Sequence, residues 1–242
     1  MIDAGLTVRA FFTTREGGVS HAPYASLNVA DHVGDDPALV DVNRAIVEGE
    51  IGAPIAFVNA EHGVRVHHVT DPRLPVPVAD ILVTTTPGVA LGAISADCAP
   101  LLLHDRATGA VVAAHIGREG LYQGAVDVAV SALFDLRVGR PDFGMLEASM
   151  GPAICGRCYE VPAELRARVA SRHPSARGTT SRGTPSLDLP RAIEARLGDL
   201  GFVDIVHRQA CTYEDPMLFS HRRDGVTGRQ CGVIVCGGVS LP

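Results

Sequence analysis

The sequence predicts one α/β domain, of the α+β kind, in which mixed β-sheets are flanked by helices. Three observations predict it. Short apolar runs alternate irregularly with helical patterns, which does not suit a regular doubly wound sheet. At 242 residues the chain suits one large domain or two small ones, and the segment beyond the polar stretch at 173–185 is too short to build its own core. With 46% hydrophobic and 20% charged residues it can bury a substantial interior. The expectation is a single domain over residues 1–242, without internal repeats.

Residues 8–14 read as a first strand, running into Arg15-Glu16-Gly17-Gly18-Val19-Ser20, where a glycine pair supplies positive φ or close backbone approach. Residues 24–32 are polar and irregular, so Asn28 and His32 line a cleft or cap a turn. Asp36-Pro37 opens a helix, as an N-cap followed by proline in the first turn, with Leu39, Val42, Ile46 and Val47 as its apolar stripe and Gly52 and Pro54 as its stop. Strands are expected at 55–59 and 64–69, then a proline-containing loop, a candidate flap, at 71–78.

The centre of the chain is 80–120, with three apolar strands at 89–94, 99–104 and 110–114 and a turn at Asp105-Arg106-Ala107-Thr108-Gly109. A long helix over 120–136 follows, with Leu121, Ala125, Val126, Ala129, Val130 and Leu133 on one face. Then come a strand at 147–154, a helix at 161–171 and a mobile surface loop at 173–185. A helix capped by Asp188 carries the stripe Leu189, Ile193, Leu197 and Leu200 and stops at Gly201. A strand at 203–206, a polar segment at 211–230 and a buried strand at 231–236 complete the chain.

A formal net charge of −6 without a long basic run excludes nucleic acid as the main partner. Local arginines can still receive an anion. Residues 1–10 do not read as a signal peptide, and no apolar stretch approaches the ~18 residues of a membrane span. A cytoplasmic, monomeric protein without membrane contact is expected. The six cysteines are then thiols or metal ligands rather than a disulfide framework.

Two apolar strands end at reactive groups, one running into Cys98 and one delivering His115, and an earlier strand-like run ends at His62-Gly63. Two imidazoles and a thiolate suit a catalytic zinc centre with one open position, and Asp97 is placed to orient a ligand. The same residues allow a metal-free alternative, with Cys98 as nucleophile and His115 as its base. Cys155-x-x-Cys158 lacks a second such pair, and Cys211, Cys231 and Cys236 have the wrong spacing for a zinc ribbon, so these are expected to be packed thiols. Arg222 and Arg223 in a polar loop, with Arg15, are the candidate anion-binding residues.

Seven motifs in chain order carry a wider resemblance: R-x-G-G-V-S at 15–20, S-L-N at 26–28, H-G at 62–63, A-D-C-A-P-L-L-L at 96–103, A-A-H-I-G at 113–117, G-P-A-I-C-G-R-C-Y-E-V at 151–161, and C-T-Y-E-D through F-S-H-R-R-D-G-V-T-G-R-Q at 211–230. Together they resemble the family named variously multicopper polyphenol oxidase (laccase), peptidoglycan editing factor and purine nucleoside phosphorylase. The resemblance implies the laccase-domain, cytotoxic-necrotizing-factor-like fold. It implies a zinc centre whose two His and one Cys fall on His62, Cys98 and His115, the catalytic residues. It also implies phosphorolysis of adenosine, inosine, guanosine or methylthioadenosine to base and ribose 1-phosphate, with hydrolytic deamination of adenosine.

A purine nucleoside and phosphate are then the partners, and Arg15, Asn28, Arg222 and Arg223 the substrate-binding candidates. Tyr122, Tyr159, Phe12 and Phe219 are the aromatic candidates for stacking on the base. Copper fits less well, since one Cys and two His do not supply several copper centres. The alternatives are a metal-free cysteine hydrolase acting on peptidoglycan precursors, a copper polyphenol oxidase and a metal-binding protein without turnover. The chain departs from the family pattern at Arg118-Glu119, where Trp-Arg is usual, and at Ala60, where glutamine is common. The first shift is expected to point Arg118 elsewhere.

Overall fold

The computed structural model describes residues 1–136 and 143–237. Its strands explain why the central sequence is so uniformly apolar. A–P–L–L–L–H–D at Ala99–Asp105 and V–V–A–A–H–I at Val111–Ile116 are buried at every position, because both faces of their sheet are covered. Leu82, Leu102, Val111 and Ala113 face a second sheet, whereas Ile81, Leu101, Leu103, Val112 and Ala114 face helices. The result is a sheet–sheet–helix arrangement with the six-stranded sheet in the middle.

That middle sheet runs Asp204–His207, Leu146–Met150, Ala99–Asp105, Val111–Ile116, Ile81–Thr84, Val66–His68. The outer sheet runs Ile2–Asp3, Ala10–Phe12, Gln230–Val235, Ala90–Ser95, Ile55–Phe57. Each has parallel pairs at a margin and antiparallel pairs elsewhere, which is the expected mixed α/β domain. Phe12 pins the outer sheet. Its ring lies under Gly151 and Gly232, where any side chain would strike it.

Several elements differ from expectation, each for a local reason. Ile81–Thr84 is a further buried strand, and Ile2–Asp3 adds an edge. The expected helix at 120–136 is two helices, Arg118–Gln123 and Ala125–Phe134, interrupted at Gly124, although the predicted apolar face is buried. The strand expected to reach 154 ends at Met150, because Gly151-Pro152 comes next and proline has no ladder N–H. The expected mobile loop at 173–185 holds a short turn, Pro174–Ala176, and the strand pair Arg177–Thr179 with Pro185–Leu187.

The first helix, Pro37–Ile51, starts and stops as read, with Asp36 capping and Gly52 in the left-handed region. Its buried face is Val40, Asn43, Val47 and Ile51, while Val42 and Ile46 are exposed. Asn43 is the reason for the rotation. Its amide donates to Ser20 Oγ, the Ser26 carbonyl and the Asn28 carbonyl, and accepts from the Val19 N–H, so a polar loop is satisfied by turning this residue inward. Among the described residues, no helix is long and apolar enough to cross a membrane.

Phe12 is 1% exposed, and its removal leaves a cavity between two close-packed glycine backbones. Phe12→Ala is expected to cost about 3–5 kcal/mol, read as a lower urea midpoint with an unchanged slope.

Candidate functional site

The antiparallel hairpin formed by Ala99–Asp105 and Val111–Ile116 sets one half of the site. Its register pairs Pro100 with His115 and Ala99 with Ile116, so Cys98, just before the first strand, falls beside His115 near the end of the second. Asp105 closes the hairpin at the far end by accepting from the Ala107 N–H and the Thr108 hydroxyl. His62 arrives from a different loop and stands at φ 66, in the left-handed region. Its ring meets that of His115 edge-on, with centroids 4.8 Å apart.

Asp80 determines where His62 and His115 sit. This fully buried carboxylate accepts from the backbone N–H groups of Glu61, His62 and Gly63 at 3.3, 2.9 and 2.8 Å. It also stands 3.0 Å from His115 Nδ1. Its pKa is low: burial opposes ionisation, but the His115 hydrogen bond and the Gly63 and Glu61 N–H groups outweigh it. With Nδ1 occupied, Nε2 is the His115 nitrogen left for a ligand. The sequence points to Asp97 for the orienting role. Asp97 instead accepts from Thr212 Oγ1, Ser220 Oγ and the Arg222 N–H, and so holds another wall. An aspartate at the start of an apolar strand is the only signal for Asp80 in the sequence.

One donor atom from each of His62, Cys98 and His115 lies within 4.8 Å of the others. Tetrahedral bonds of about 2.0–2.3 Å place ligand atoms about 3.3–3.8 Å apart, so small side-chain rotations bring these donors around an ion. The donor chemistry and the carboxylate behind His115 fit a zinc-type centre. Gly117 belongs to the same packing: a Cβ there would stand 2.7 Å from His62 Cδ2 and 3.1 Å from Cys98 Sγ. Without an ion, burial disfavours the Cys98 thiolate, but the charge and hydrogen bond of His115, then of His62, bring the thiol down to about 6. Burial likewise opposes His115 protonation, but the Cys98 charge and the Asp80 hydrogen bond push it up to about 9. Both shifts favour a thiolate–imidazolium pair in the metal-free protein.

These residues open into a cavity of about 520 Å³, within the usual range for small-molecule sites. Arg118, Arg222 and Arg229 line it, as do Tyr159 and Glu119. Arg118, expected to point elsewhere, lines the cavity from the first residue of the helix Arg118–Gln123. Its buried Nε has no hydrogen-bond partner among the described residues. Glu119 forms a two-pronged pair with Arg168, at 3.0 Å for each bond. Arg222 donates to the Glu160 carbonyl and lies 5.0 Å from the Tyr159 ring centroid.

Other expected contact residues hold the surrounding frame. Arg15 bonds the carbonyls of Ala25 and Pro216 and stacks over buried Phe219. The glycine pair beside it serves that loop, since a Cβ on Gly18 would collide with the Ser26 carbonyl. Arg223 donates to the carbonyls of Thr212, Tyr213, Asp215 and Leu218. Asn28 is fully buried and accepts the Arg229 N–H at 2.9 Å, so it acts on the cavity through Arg229. Tyr122 packs under Arg168 and Arg172, and Phe12 belongs to the core. Tyr159 alone of the four aromatic candidates lines the cavity.

The model of the Multi-copper polyphenol oxidoreductase laccase family matches residues 9–237. A purine nucleoside phosphorylase of Streptomyces coelicolor is 44% identical over 228 residues, covering 92% of this chain and 93% of the relative. A purine nucleoside phosphorylase of Mycobacterium tuberculosis is 42% identical over 236 residues, covering 96% and 93%. Among solved structures, Neisseria meningitidis protein NMB0706 superposes with a TM-score of 0.86 at 34% identity, covering 97% of this chain and 96% of that one. YlmD from Geobacillus stearothermophilus superposes with a TM-score of 0.85 at 30% identity, covering 95% and 92%.

Two outcomes test the geometry. Asp80→Asn supplies N–H groups where three backbone donors already point, and is expected to weaken metal affinity about 10–100-fold in competition with a chelating dye. In metal-free protein, alkylation mapped to Cys98 is expected to accelerate as pH rises through about 6, because a lowered thiol pKa moves thiolate formation to lower pH. An inflection at the ordinary thiol value would contradict the pairing with His115.

Proposed function

The chain belongs to the Multi-copper polyphenol oxidoreductase laccase family, and from its site we propose a zinc-dependent purine nucleoside phosphorylase with adenosine deaminase activity, a single catalytic domain over residues 1–242. The observation that carries the reading is the convergence of His62, Cys98 and His115 on one wall of a cavity of small-molecule size. Relatives at 36–44% identity bear the phosphorylase name.

His62, Cys98 and His115 would hold the ion, with Asp80 fixing the His115 tautomer and the His62 loop. A bound zinc supplies Lewis acidity and lowers the pKa of a water to about 7, the chemistry needed to replace the amino group of adenosine. Tyr159 offers the face on which a purine stacks. Arg222 and Arg229, with Arg118, whose Nε has no partner among the described residues, supply positive charge for phosphate. In phosphorolysis a phosphate oxygen bonds to the ribose anomeric carbon as the glycosidic bond breaks, and the electron pair leaves with the base, whose nitrogen takes up the proton that the phosphate gives up. Converging guanidinium groups hold the anion in place and offset repulsion as it approaches.

A second reading rests on the thiolate–imidazolium pair, which is a competent nucleophile and acid in metal-free protein. The two readings diverge in one experiment. Adenosine turnover is followed with and without phosphate, alongside metal content, for wild type, Cys98→Ala and Arg118→Ala. Zinc dependence predicts loss of metal and a fall of about 10³-fold or more in Cys98→Ala, the scale of several kcal/mol. Arg118→Ala is expected to raise the KM for phosphate and leave deamination in place. Full activity in metal-free wild type would move Cys98 from ligand to nucleophile.

A further inference from the structure

A second group of soft ligands lies behind the cavity wall. By spacing alone Cys155 and Cys158 are packed thiols, because no partner pair stands at ribbon distance in the sequence. The fold supplies the partner from elsewhere. Ala153 bridges to Cys211, and the Cys155 N–H donates to Cys211 Sγ at 3.4 Å. Cys155 and Cys158 sit on a tight turn in which the Cys158 and Tyr159 N–H groups both reach the Cys155 carbonyl at 3.0 Å. A matching turn begins at Cys211, whose carbonyl accepts from Glu214 and Asp215 at 3.1 and 2.9 Å and brings the Glu214 carboxylate back.

Ligand atoms of Cys155, Cys158, Cys211 and Glu214 all lie within 4.8 Å of one another, and all three cysteines are free thiols. Zinc–sulfur bonds of about 2.3 Å set sulfurs about 3.8 Å apart around a tetrahedron, which falls inside this 4.8 Å limit. A disulfide would use two of the three sulfurs and leave the third unpaired. Three thiolates and a carboxylate satisfy the soft, four-coordinate preference of zinc. The N–H directed at Cys211 Sγ is the outer support that a thiolate ligand receives. An open cleft of about 370 Å³, lined by Cys155, Cys211 and Glu214, gives an ion access.

We propose that Cys155, Cys158, Cys211 and Glu214 form a structural zinc site, separate from the His62–Cys98–His115 cluster. The ion cross-links segments 56 residues apart in sequence. Both segments continue into the cavity wall: Tyr159 is next to Cys158, and Thr212 is next to Cys211 and donates to Asp97 at 2.6 Å. The site therefore staples the wall that carries Tyr159 to the wall that carries Arg222.

Zinc is counted by elemental mass spectrometry on the full chain expressed with zinc. Cys155→Ser and Cys211→Ser are each made in two parents, wild type and Cys98→Ala. Each serine variant is expected to hold about one equivalent less zinc than its own parent, so the result is independent of what Cys98 binds. Unchanged zinc in both variants, or a mapped disulfide within the three cysteines of freshly purified protein, overturns the proposal. If the serine variants do not fold, cobalt replaces zinc in Cys98→Ala. A strong near-ultraviolet thiolate-to-cobalt band must remain there, and its absence overturns the proposal equally.

Discussion

The buried carboxylate of Asp80 is the constraint on which the candidate site depends. A charge held at zero exposure is costly unless it is fully hydrogen-bonded, and here three consecutive backbone N–H groups and one imidazole satisfy it. The same contacts that make the charge tolerable hold His62 at positive φ and fix the ring of His115. Position and electrostatics are thus one interaction. The loop at 61–63 has no other anchor of this strength among the described residues, and it lies against the helix start so closely that a Cβ on Gly120 would stand 2.9 Å from the Gly63 carbonyl.

Around this anchor the fold acts as a set of aimed strand ends. The Cys98–His115 juxtaposition comes from one hairpin, whose register is held by alternation on two buried faces; a slip of one residue would exchange the faces packed on the helices and on the outer sheet. Close packing also limits what can stand between the donors, which is why Gly117 lies where any side chain would press on His62 and Cys98. Burial sharpens the electrostatics there. A thiol and an imidazole that would both be largely neutral in water each favour the other's charged form here, and the Asp80 hydrogen bond behind the ring adds to the rise at His115.

The opposite wall is organised by a second carboxylate, Asp97, which gathers Thr212, Ser220 and the Arg222 N–H. Arg223 reinforces it by bonding the carbonyls of 212–218, and Arg15 and Asn28 brace the neighbouring loops. Arginines adjacent in sequence therefore divide their labour: Arg222 faces the cavity and Arg223 holds the loop. The Cys155–Cys158–Cys211 cluster lies directly behind, between the two segments that these contacts connect.

The sequence by itself determined what local chemistry determines. The uniformly apolar runs, the Asp36 and Asp188 caps, the Asp105 turn and the buried face over 121–133 all come from spacing and propensity, and so does the arrival of Cys98 and His115 at strand ends. Tertiary structure alone decided the rest, because each remaining feature joins residues far apart in sequence. Asn43 is turned inward by its bonds to Val19 and Ser20, 24 and 23 residues earlier, so the apolar stripe did not reveal the buried face of its helix. Asp80 reads as an ordinary residue before a strand until it meets His115, 35 residues on. Cys211 has no spacing relation to Cys155 that a one-dimensional pattern can register; it becomes a neighbour only because a backbone bridge sets Ala153 beside it.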